Sequence, residues 1–188
     1  EEVLAWRWDW CSNEKMQIHK EDRNSLTRFV IKEFGSREII LESTKRLPSP
    51  FNNRQFVFRC VWCKLDDGSY LYCWESIDVP GLESAARVIG HSRGFIKTKP
   101  LGIPRTCEFT VVQRIDGRGN IPAWLINRKI KQSLSTPSEL HNAFDRDLDI
   151  DQITHERLVH LMRNAHGEVY DGKENALVES IEQKFSRL

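Results

Sequence analysis

Phe56, Phe58, Cys60 and Trp62 recur at every second position of the run Arg54–Leu65. Alternate side chains of a strand share a face, so these four make one apolar face. The opposite set, Val57, Arg59, Val61 and Cys63, is broken by an arginine. The chemistry open to such a face is sequestration of an apolar molecule, which needs a concave greasy surface with few polar contacts. The same alternation selects Ile96 and Thr98 over Lys97 and Lys99. It also selects Phe109, Val111 and Ile115 over Glu108, Thr110 and Arg114. In the run from Tyr70 both faces fit, and Tyr72 and Trp74 are taken as lining. Trp124, Ile126 and Ile130 supply the facing side from a helix after Pro122. A buried acyl chain contributes about 0.8 kcal/mol per methylene, enough for tight binding. Any one of these residues also fits plain core packing, so the binding expectation belongs to the set.

Reactive groups are not spaced for catalysis. Cys60-Val61-Trp62-Cys63 has the separation of a redox or zinc pair, but residues three apart on a strand point to opposite faces, and no second pair follows. The six histidines show no ligand spacing. Asp147, Asp149 and Asp151 lack the glycine and closing glutamate of a calcium loop. No serine or cysteine comes with a base. No enzyme activity, metal or cofactor is therefore expected. Glu75 is the one acidic residue beside the lining set. Arg93, Lys97 and Lys99 alternate on one face, which reads first as a solvated outer face and, as the alternative, as a contact for a lipid headgroup or membrane phosphate.

The chain has 188 residues and a net charge of +1, from 28 basic and 27 acidic residues. That balance leaves no field to hold nucleic acid. No apolar run reaches membrane-span length. The five cysteines sit in or beside apolar segments and read as small buried hydrophobes in a reducing, cytoplasmic compartment. The chain opens on Glu1 with no signal peptide, and is read as a fragment of a multidomain protein.

Several elements must position these groups. Glu2–Cys11 reads as a helix with Val3, Trp6 and Trp10 in one stripe, ended by Ser12-Asn13. Strands are expected over 28–34, 37–45, 53–65, 70–76, 91–101 and 105–116, joined by turns such as Asp66-Asp67-Gly68-Ser69. Repeated hairpins argue for one antiparallel sheet. Asp116-Gly117-Arg118-Gly119 turns the chain into a helix begun by Pro122, with Ile126, Ile130 and Leu134 on one face. Thr136-Pro137-Ser138-Glu139 reads as a second helix start. Thr154 caps a tail helix carrying Leu158, Leu161 and Met162, and a last helix carries Leu177, Ile181 and Phe185.

These segments together resemble the START domain, the module of proteins related to the steroidogenic acute regulatory protein. The resemblance rests on Asn53-Arg54-Gln55-Phe56-Val57, on Arg93-Gly94-Phe95 ending in Lys99-Pro100-Leu101, and on Thr106–Val112. It also rests on Asp116-Gly117-Arg118-Gly119 and Ile121-Pro122-Ala123-Trp124-Leu125-Ile126-Asn127. It implies an α+β helix-grip fold, in which a curved antiparallel sheet wraps a long C-terminal helix. It covers about residues 1–148, with 149–188 as a helical tail or linker. The family's first helix and opening strands have no counterpart, so the domain is read as N-terminally truncated. Ile89 stands where many members carry an arginine, which points to an apolar ligand or an empty cavity. The implied function is a lipid- or sterol-binding module for sensing or transfer, with transient membrane contact and neighbouring domains as partners. The alternative is a non-binding scaffold that makes protein contacts through its sheet edge or tail.

Overall fold

Turn chemistry sets the sheet. Gly68 has φ 77°, and the Asp67 carboxylate accepts the Ser69 N–H at 3.0 Å, which closes the turn between β3 (Asn53–Lys64) and β4 (Tyr70–Ser76). The computed structural model describes residues 1–82, 87–103, 106–127, 134–144 and 151–164. The expected last helix and Ile130 lie outside the described residues.

The remaining strands are β1 (Ser25–Phe34), β2 (Glu38–Lys45), β5 (Arg87–Ile89), β6 (His91–Pro100) and β7 (Cys107–Asp116). They form one curved sheet in the order β1-β2-β3-β4-β6-β7, antiparallel throughout, with β5 pairing in parallel with the start of β3. The six long strands match the expected ones to within a few residues at their ends. β5 was not expected, since three residues after a loop carry no periodic signal.

Register aligns the predicted apolar set across strands. Trp62 lies opposite Tyr72, Tyr72 opposite Ile96, and Ile96 opposite Val111. Ile39, Cys60 and Trp74 make a second row, and Tyr70, Thr98 and Phe109 a third. The opposite face has its own smaller cluster of Val61, Cys63, Leu71 and Cys73. Both faces of the two central strands are thus buried.

Helices α1 (Glu2–Trp8) and α2 (Asn13–Glu21) precede the sheet. The first helix ends at Trp8, three residues earlier than expected, and buries Leu4, Ala5, Trp6 and Trp8. It is apolar nearly all round, so its sequence admits more than one stripe. Ser12 does not merely end α1: its hydroxyl accepts the Lys15 N–H at 3.3 Å and caps α2.

Residues 123–127 are helical (α3), followed by α4 (Thr136–Phe144) and α5 (Gln152–Arg163). The start of α4 is fixed one residue earlier than expected. The Glu139 N–H bonds the Ser135 carbonyl at 2.9 Å, and the Ser135 hydroxyl donates to the Glu139 carboxylate. Likewise α5 begins after Asp151 rather than at Thr154, and the Asp151 carboxylate crosses to α2. It accepts the Asn13 N–H and side-chain amide, both at 2.9 Å, and the Glu14 N–H at 3.0 Å. Burial alone would raise the Asp151 pKa, but these donors outweigh it and hold the carboxyl below its usual range.

Candidate functional site

The concave face of the sheet is the candidate site. Cys60, Trp62, Tyr72, Trp74 and Ile96 form its floor, each at most 6% exposed, and Thr98 is 5% exposed. Phe58, Phe109 and Val111 are half-buried and pack on the same cluster. Phe56 stacks on Phe58 with ring centroids 5.9 Å apart. The structure therefore brings ten of the eleven strand residues selected by alternation together on one face; Ile115, near the end of β7, is instead left 47% exposed.

Two glycines let aromatic rings approach the floor. A Cβ on Gly94 would lie 2.3 Å from the Val112 carbonyl oxygen and 2.6 Å from the Trp74 ring. A Cβ on Gly90 would lie 2.4 Å from the Phe56 ring. Trp74 is pinned further by its indole N–H, which donates to the Ser92 hydroxyl at 3.0 Å. Trp62 is pinned by donating to the Ser36 carbonyl at 2.9 Å.

The facing side differs from expectation. Trp124 and Ile126 are 61% and 48% exposed, and the buried residue of α3 is Leu125, at 2%. The centre of the floor is covered from α1 and α5 instead. Trp8 meets Trp62 and Tyr72 edge-on, at centroid distances of 6.4 and 6.1 Å. Met162 of α5, 1% exposed, joins the same cluster.

Cations border this face, which sequence patterning missed. The Arg7 guanidinium lies over Trp10, Tyr72 and Trp74, at 4.9, 5.1 and 5.9 Å. The Arg28 guanidinium also lies over the Trp10 ring, at 3.7 Å, and donates to the Trp10 carbonyl at 2.8 Å. Burial, with Arg7 nearby, pushes Arg28 down to about 10. Three tryptophans flank Arg7 in residues 6–10, but nothing in the spacing brings Arg28 to them. Among the described residues, Arg7 Nε and Thr98 Oγ1 are buried without a hydrogen-bond partner.

The reactive groups here are muted. Burial pushes the Cys60 thiol up to about 12, and raises Tyr72 well above its usual range. A thiol so placed stays protonated and is a poor nucleophile. Glu75 does not join the lining: it follows Trp74 on the strand and faces the other side.

The START domain family model matches residues 27–143, more than half of the 188 residues. The chain belongs to the START domain family. Solved START structures share the architecture. Human STARD10 superposes with a TM-score of 0.61 at 17% identity, covering 88% of this chain and 64% of its own. The lipid transfer and protein localization domain of human StarD13 gives 0.59 at 18%, covering 78% and 71%. A STAR-related lipid transfer protein from Xanthomonas axonopodis gives 0.55 at 18%, covering 84% and 78%. At these identities the likeness carries the fold alone. The chain spans 64% of the STARD10 chain's length. No curated protein matches the sequence. START domains bind lipids or sterols. No helix among the described residues is long and apolar enough to cross a membrane.

Proposed function

We propose that this START domain is a non-enzymatic module that holds one lipid or sterol on its concave face. The observation that carries the reading is the four-strand apolar row Trp62–Tyr72–Ile96–Val111, with Val111 and the neighbouring Phe109 and Phe58 only half-buried on the same face. The unpartnered Arg7 Nε and Thr98 Oγ1 give the ligand two polar contacts. An unmet buried donor costs about 1–3 kcal/mol, which a ligand oxygen would relieve. Few polar groups on a greasy surface is the usual design of a small-molecule site. The muted Cys60 and Tyr72 support the non-enzymatic part. Three buried cysteines outside any disulfide, Cys60, Cys63 and Cys73, suit a reducing compartment such as the cytoplasm.

A scaffold reading has one observation behind it. Trp8 and Met162 already cover the centre of the floor, so a ligand must lie over the half-buried Phe58, Phe109 or Val111 or displace α1. Tryptophan quenching by lipids with brominated acyl chains separates the two readings. Cargo on the floor quenches Trp74 and saturates at one lipid per protein, and Trp124→Phe leaves that quenching intact. Quenching that never saturates, or that disappears with Trp124→Phe, puts the lipid on the outer surface and favours the scaffold.

A further inference from the structure

A second, polar cleft lies at the ends of β4, β6 and β7, with a volume of about 320 Å³. That is at the small end of ligand pockets, about 300–1,000 Å³. Arg93, Arg114 and Arg118 line it together with Glu75, His91 and Asp116. Three arginines against two carboxylates leave a formal surplus of one positive charge. Among the described residues, none of the three guanidiniums is in an ion pair.

Two features of the backbone place this charge at a cost. Arg93 and Arg114 are direct cross-strand partners. Their Cβ atoms are then only about 5 Å apart, a spacing at which like charges destabilise a sheet. Arg118 has φ 48°, in the left-handed region that favours glycine, although glycines flank it on both sides. The loop is held in that shape. The Arg118 N–H donates to the Asp116 carboxylate at 2.8 Å, and the Arg118 carbonyl accepts from buried Arg54 at 3.0 Å. Arg54 also donates to the Gly117 carbonyl. A repelling pair and a strained arginine converging on one cleft are what an anion between them would offset.

From this geometry we infer that the cleft binds a phosphate group, carried by a lipid headgroup or by a soluble phosphate ester. The inference does not rest on the lipid reading above. Glu75, Arg93 and Arg114 lie on the face opposite Trp74 and Ile96, and a protein with no cargo on its floor would still bind phosphate here.

The test uses the full chain and the variants Arg114→Gln and Arg118→Gly. Calorimetric titration with inorganic phosphate and with glycerol 3-phosphate reads soluble binding. Cosedimentation with phosphatidylcholine vesicles, with and without phosphatidic acid, reads membrane binding. Each variant is expected to weaken phosphate binding about tenfold, through loss of one charge-assisted donor. Neither lowers the melting temperature, because one relieves repulsion and the other suits its backbone angle. Saturation by soluble phosphates assigns a soluble ester. Binding only to phosphatidic acid vesicles, lost in both variants, assigns a membrane lipid. Variants that bind as the wild type does, or a wild type that binds neither probe, overturn the inference.

Discussion

Trp62→Ala is expected to lower the stability of the folded chain by about 3–5 kcal/mol, the usual cost of emptying a fully buried tryptophan site. Trp62 is 1% exposed, pairs with Tyr72 across the strands, takes the edge of Trp8 and donates to the Ser36 carbonyl. Truncation removes all of these and leaves a cavity that its neighbours, pinned in register, fill poorly. Against a typical total of about 5–15 kcal/mol, the loss is large. Trp124→Ala is the control. With 61% of its surface exposed, its loss shifts stability by no more than about 0.5 kcal/mol. Denaturant midpoints of the two variants give the comparison directly. Similar midpoints would mean that the sheet's floor is not the core described above.

Met162→Ala is expected to cost about 2–5 kcal/mol. Met162 comes from α5, yet it is 1% exposed within the same cluster as Trp62 and Ile96. Its helix is tied to the front of the chain by Asp151 against α2 and by Arg163, which meets Glu1 at 2.9 Å. His155 also lies 3.6 Å from Asp9. On this reading α5 is part of the folded unit rather than a linker. A variant with an unchanged midpoint would mean instead that α5 folds apart from the sheet.

Strand alternation made much of this legible. A period of two, interrupted on one side by Arg59, was enough to choose the Phe56–Trp62 face, and hairpin spacing gave the antiparallel order. The limits were equally physical. Tyr72 and Leu71 lie on opposite faces and are both buried, so alternation in β4 had no polar side to read. The helical face beginning at Ile126 followed a four-residue step that the described part of α3 does not bury, whereas Leu125 carries no such repeat. The covering of the floor by Trp8 depends on contacts between residues far apart in the chain, which periodicity cannot express. The arginines at 93, 114 and 118 were visible singly, but their convergence needed the β6–β7 register.

A lipid held on the aromatic floor is the central feature of the proposed function. Native mass spectrometry of the chain purified from cells, set beside a denaturing spectrum of the same sample, tests this most directly. The predicted result is a native mass greater than that of the bare chain by one lipid, with the excess lost on denaturation. Identical bare-chain masses in both spectra, persisting after incubation with mixed cellular lipids, would contradict it.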